Sequence, residues 1–181
     1  MNDIVKTLIG GAIVLVIGGT AYTVSQADIT NKFAEETGMS QSEAEDYVNN
    51  TQDELAPWGE IGKKLVDDGN GILSDAATID CVNYMYDWES DALSCDAGKQ
   101  QWTDVGNKEI ALGTCYNALD TDLGSGAEAK MRECIGLIDA MNASYEHPIV
   151  QALDEGGSIA ESKKTNLYNK SVLRAALESN Q

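Results

Sequence analysis

Hydrophobic positions in this chain follow two regimes. From Thr7 to Ala27 no charge interrupts the run TLIGGAIVLVIGGTAYTVSQA, which is most apolar between Leu8 and Ile17. Beyond Asp28 the apolar residues recur instead at helical spacing, between short turn-forming stretches. Read as a helix rising about 1.5 Å per residue, the first segment spans roughly 30 Å, the hydrocarbon thickness of a bilayer. The pattern predicts a transmembrane anchor over residues 1–27. Its rival is a cleaved secretory signal, with Lys6 as a thin basic flank and Ser25-Gln26-Ala27 as small residues for a peptidase. Gly10, Gly11, Gly18 and Gly19 fall on a similar face of such a helix, with Thr7 leading into it. Small residues there let a second membrane helix approach closely.

The remainder predicts helices. Asp28 to Gly38 continues as helix around Phe33, and Ser40-Gln41-Ser42-Glu43 has the form of a capping box opening a helix to about Ala56. Residues 28–56, sparse in apolar side chains, read as a stalk or outer helices. Pro57 suits the first turn of the next helix, with Trp58, Ile61 and Leu65 on one face and Asp67-Asp68-Gly69-Asn70-Gly71 as its stop. A further helix runs from Ile72 to about Trp88, and Gly98 to Asn107 reads as a loop containing Trp102. Leu112, Cys115, Tyr116 and Leu119 form one amphipathic stripe; Met131, Cys134, Ile135, Ile138, Met141 and Tyr145 form another. His147-Pro148 closes the second, and shorter helices follow at Ile149 to Asp154 and Asn166 to Ser179. No alternating run long enough for a strand stands out. The expected fold is all-α, an N-terminal transmembrane helix followed by a disulfide-stapled helical bundle over residues 57–181.

Four cysteines, Cys81, Cys95, Cys115 and Cys134, are too widely spaced for a structural zinc site, which brings at least two ligands close in sequence. Cys115 and Cys134 lie at equal distances from the turn Asp120 to Gly126, so in an antiparallel helical hairpin they face each other. The expected pairing is therefore Cys115 with Cys134 and Cys81 with Cys95, which places the body in an oxidising compartment. Buried free thiols in a cytosolic domain are the competing reading.

Charge narrows the partners. Among 181 residues, 30 acids oppose 12 bases, a formal net charge of −18, all of it contributed from Asp28 onward. Such a surface excludes a nucleic-acid binder, which needs a basic footprint. The positive-inside tendency leaves the N-terminus cytoplasmic and exports the acidic body. Asp120, Asp122 and Glu128 lack the spacing of a calcium loop, since Gly124 and Met131 occupy positions that require ligands. The acidic pairs Glu35-Glu36, Asp67-Asp68 and Asp154-Glu155 read as solvated surface, His147 as a helix-end residue, and Trp58, Trp88 and Trp102 as core. Sequons at Asn49, Asn142 and Asn169 matter only in a host that glycosylates secreted chains. Neither a phosphate loop nor a nucleophile elbow occurs.

Lys6-Thr7-Leu8-Ile9 and the apolar run after it are similar, over roughly twenty residues, to the mature N-terminus of a type IV pilin, whose hydrophobic helix forms a filament core below a disulfide-bearing head. The glycine-aromatic processing junction is missing, and Gly10 stands where that family carries glutamate. The functional expectation is a non-enzymatic, single-pass membrane protein without cofactor or metal, a structural or accessory subunit of a membrane, envelope or virion assembly. Its partners would be the membrane and other protein subunits, among them copies of itself. A secreted helical binding module released after Ala27 and a pilin-like filament subunit are the alternatives.

Overall fold

A computed structural model describes residues 12–52, 57–79, 95–154 and 157–179. Residues 12–25 do not form the expected transmembrane helix. The uncharged segment forms a β-hairpin, β1 (Ala12–Ile17) and β2 (Thr20–Ser25), antiparallel and in register from Ala12 opposite Ser25 to Ile17 opposite Thr20. No helix among the described residues is long and apolar enough to cross a membrane. Three properties of the segment favour a hairpin. It is dense in β-branched Ile, Val and Thr. Its buried residues alternate, Ile13, Leu15 and Ile17 on β1 and Tyr22 and Val24 on β2. Gly18 and Gly19 adopt φ of 59° and 78°, the left-handed pair that a two-residue hairpin turn requires. The anchor's packing face therefore does not form: Gly18 and Gly19 are the turn, and Thr7, Gly10 and Gly11 lie outside the described residues. Cleavage after Ala27 would remove the whole hairpin and cut into the first helix.

Seven α-helices follow among the described residues: α1 (Gln26–Thr37), α2 (Gln41–Gln52), α3 (Trp58–Thr78), α4 (Cys95–Leu119), α5 (Ala127–Tyr145), α6 (Pro148–Leu153) and α7 (Ser158–Ser179). The fold is mostly helical, as expected. Local signals set several of the ends. Ser25 caps α1 by accepting from the Asp28 N–H, and Gly38 closes it at φ 70°. The capping box at α2 forms as read, with the Ser40 N–H donating to the Glu43 carboxylate at 3.0 Å. His147 caps α6 through Nδ1, which accepts from the Ile149 N–H, and Pro148 follows it at the first turn. Two expected interruptions are absent. Helix α3 runs through Asp67-Asp68-Gly69-Asn70-Gly71, and α4 takes in Gly98 to Asn107.

Packing between α3 and α4 explains both. It is the most extensive contact between helices among the described residues. Gly62 lies against Gly113, and Gly69 against Gly106, seven residues apart on each antiparallel helix. A Cβ at Gly62 would sit 2.5 Å from the Gly113 carbonyl oxygen, and one at Gly113 would sit 2.5 Å from that of Gly62. At the second pair the corresponding distances are 2.7 and 2.9 Å. Backbone therefore meets backbone, and Leu65, Val66, Ile72, Leu73 and Ile110 close around the contact. Turn-prone residues stay helical because tertiary packing offsets their poor propensity.

Helices α4 and α5 form the expected antiparallel hairpin, joined by a turn ending in the 3-10 segment Gly124–Gly126. The Cys115–Cys134 disulfide staples it, with Cα atoms 5.7 Å apart. The β-hairpin seats on its tip. The Gly18 N–H donates to the Leu119 carbonyl at 2.7 Å, and the Leu123 N–H donates to the Gly18 carbonyl at 2.9 Å. Ile29 and Phe33 of α1, Ala44 and Val48 of α2, the hairpin face, and Tyr168, Val172 and Leu173 of α7 share one core with α4 and α5. Residues 28–52 are thus built into the body.

Two stability measurements follow. Gly62→Ala and Gly113→Ala each force a methyl against a carbonyl; overpacking costs about 1–3 kcal/mol, against a propensity gain of at most about 1 kcal/mol, so thermal melts should shift down. Gly136→Ala, on the exposed side of α5 with nothing within 4 Å of the new methyl, should shift them up. In the Cys115→Ala/Cys134→Ala double variant, loss of the closed loop should cost about 3 kcal/mol in urea unfolding while helical circular dichroism persists.

Candidate functional site

The inward stripe of α4 reads Val105, Glu109, Leu112, Tyr116 and Leu119, at steps of three and four residues. Four are apolar or aromatic and one is a carboxylate. Helical geometry thus forces Glu109 inward, where it is only 7% exposed. Its Oε1 accepts a 2.9 Å hydrogen bond from the Tyr145 hydroxyl on α5, and its Oε2 is buried without a hydrogen-bond partner among the described residues.

Glu109 lies in the floor of a cleft of about 600 Å³ bounded by α2, α3, α4, α5 and α7. The floor is buried: Glu109, Tyr145, and from α7 Asn166, Tyr168 and Asn169. Tyr168 is 1% exposed, and its hydroxyl has no hydrogen-bond partner among the described residues. The rim is exposed and charged. Glu60, Lys64 and Asp68 follow one another at four-residue steps along α3, and Glu161 stands opposite on α7. An aromatic cluster supports the α7 wall, with Phe33 stacked on Tyr47 at 4.8 Å and Tyr168 edge-on to both. Lys164 covers the Tyr47 ring, its Nζ 4.1 Å from the centroid.

Burial dominates the electrostatics of the floor. Desolvation holds the Glu109 carboxyl above its ordinary range; the Tyr145 hydrogen bond opposes the rise and the Asp68 charge adds to it. Desolvation, reinforced by Glu109, also pushes the Tyr145 hydroxyl well up, so it stays protonated and donating. Elsewhere the opposite balance holds. Glu36 is partly desolvated, yet hydrogen bonds from Lys170 and Arg174 keep its carboxyl below the usual range, tying α1 to α7.

The other sequence candidates are dispersed. Cys115 and Cys134 are joined, Cys95 is disulfide-bonded, and Cys81 lies outside the described residues. Asp122 accepts from the Gly124 N–H in a polar turn, and no group of three or more metal-ligating side chains is gathered among the described residues. Of the acidic pairs, Glu36 is ion-paired, Asp68 stands on the cleft rim and Asp154 caps α7 by accepting from Ser158 and Ile159, while Glu155 falls outside the described residues. Trp58 is core against Tyr116, Trp102 is half-buried, and Trp88 lies outside the described residues. Of the sequon asparagines, Asn169 is buried and Asn142 accepts from Asn166, which leaves Asn49 exposed. Glu109 was not singled out from sequence. Its signal was a charge on an otherwise apolar stripe, hidden because residues 98–107 read as loop.

No family model, no curated protein and no solved structure matches this chain, so the cleft must be understood from its own geometry.

A carboxyl held high in the folded chain binds its proton more tightly there than in the unfolded chain. Its contribution is present below the ordinary value of 4.5 and is lost as pH rises through the raised one. Glu109→Gln keeps an acceptor for Tyr145 and removes the ionisation. Urea unfolding should therefore show the variant gaining on the wild type as pH rises above the ordinary carboxylate range; a constant difference would contradict the burial of Glu109.

Proposed function

We propose that the protein is an exported, non-enzymatic helical subunit that binds partner proteins in an oxidising compartment. The oxidation of the described cysteines carries this reading. Cys115 and Cys134 are bonded to each other and Cys95 is also in a disulfide, and such bonds persist outside reducing cytosol. The net charge of −18 supports it, since that field keeps an exported body soluble and repels nucleic acid. A protein partner is further supported by β1, which pairs with β2 alone among the described residues and turns half-exposed Ala12, Val14 and Val16 away from the core. Membrane insertion of residues 7–27 forms no part of the reading, because residues 12–25 are the hairpin. The pilin-like alternative loses the same helix.

Alkylation of the unreduced native protein, followed by mass spectrometry, should find Cys95, Cys115 and Cys134 blocked. Fractionation of the producing cells should place the protein outside the cytosol, with a stoichiometric protein partner on purification. Free thiols on a cytosolic chain would overturn the proposal.

A further inference from the structure

The cleft over Glu109 carries chemistry that partner binding does not use. Its floor holds a carboxylate oxygen, Glu109 Oε2, in a side chain more than nine-tenths buried and without a hydrogen-bond partner among the described residues. A buried carboxylate left in that condition is costly, and a donor that is itself charged offsets the cost most fully. In the same cleft the Tyr168 hydroxyl is likewise buried and without a partner among the described residues, and the Asn166 and Asn169 side chains belong to the same floor. Among the described lining residues the rim adds Glu60, Asp68 and Glu161 against Lys64, so with Glu109 four acids line the cleft to one base, and Lys164 lies outside that lining, over the Tyr47 ring. The field through the opening therefore favours positive charge. A volume of about 600 Å³ lies within the range of small-molecule sites.

The polarity selects the ligand class. A metal ion wants several carboxylate, imidazole or thiolate ligands at one point, and no such group of three is gathered among the described residues. The cleft instead offers one deep carboxylate, neutral hydroxyl and amide groups around it, and further carboxylates spread along the mouth. A primary ammonium has three N–H donors that suit the deep carboxylate and its neutral neighbours. A second ammonium on a short alkyl chain would reach toward the rim acids.

We infer that the cleft between α3, α4 and α7 is a binding site for a small aliphatic amine, most completely a diamine, with its ammonium on Glu109 and Tyr168. The site depends on the cleft alone and stands whether or not the chain is exported.

The test uses diaminobutane as probe and butanediol, its neutral counterpart, as control, in titration calorimetry of the full chain at constant ionic strength. Diaminobutane should bind saturably with one site, and butanediol should not. Glu109→Gln should weaken the diamine about tenfold or more, as expected for loss of a charge-assisted hydrogen bond. Glu45→Gln, an exposed acid on α2 away from the cleft, should leave binding unchanged. On the wild-type protein, amide shifts induced by the diamine should cluster around Glu109 on α4 and Asn166 to Asn169 on α7. Absence of saturable binding up to about 20 mM would overturn the inference. So would equal weakening by Glu45→Gln and Glu109→Gln, or shifts scattered over the acidic exterior, either of which marks counterion attraction only.

Discussion

Four glycines in two facing pairs set the geometry on which the rest of the protein is built. Gly62 against Gly113 and Gly69 against Gly106 let α3 and α4 approach until the carbonyl of one helix occupies the place of a side chain on the other. Each glycine weakens its own helix by about 0.5–1 kcal/mol relative to alanine, so the contact must return more than that in packing. Dispersion between closely apposed backbones, sealed by Leu65, Val66, Ile72 and Leu73, is the interaction that does so. The seven-residue spacing also fixes the register. That register places Glu60, Lys64 and Asp68 of α3 along one side of the opening above Glu109.

A second constraint acts at the other end of α4. The Cys115–Cys134 staple holds the α4–α5 tip, and the Gly18-Gly19 turn docks on that tip through two backbone hydrogen bonds. A Cβ at Gly18 would come 2.8 Å from Ala127 Cβ, so the hairpin fits only because its turn lacks side chains. The same residues that favour the turn conformation therefore also permit its docking. This seating buries Ile13, Leu15, Ile17, Tyr22 and Val24 within the helical body.

Where one period dominated, sequence and structure agree. The stripes of α4 and α5 and their common turn located the disulfide, the capping box located α2, and His147-Pro148 located α6. The hairpin was not legible because an uncharged apolar run satisfies a membrane helix and a buried hairpin equally; only the β-branched density and the paired glycines distinguish them. Helix α3 was broken too early at Asp67 to Gly71 and α4 begun too late, since local propensity there favours turns and only the partner helix overrides it. The floor of the cleft was hidden by the same error. Once Gly98 to Asn107 is helical, Glu109 falls on the buried stripe between Val105 and Leu112, where a carboxylate calls for a partner.

The glycine seam is tested most directly by nuclear Overhauser contacts between α protons across it. The account predicts strong contacts for Gly62 with Gly113 and for Gly69 with Gly106, in the same sample. Contacts joining Gly62 to Gly106, a slip of one heptad, or no contact between the helices at either pair would contradict it.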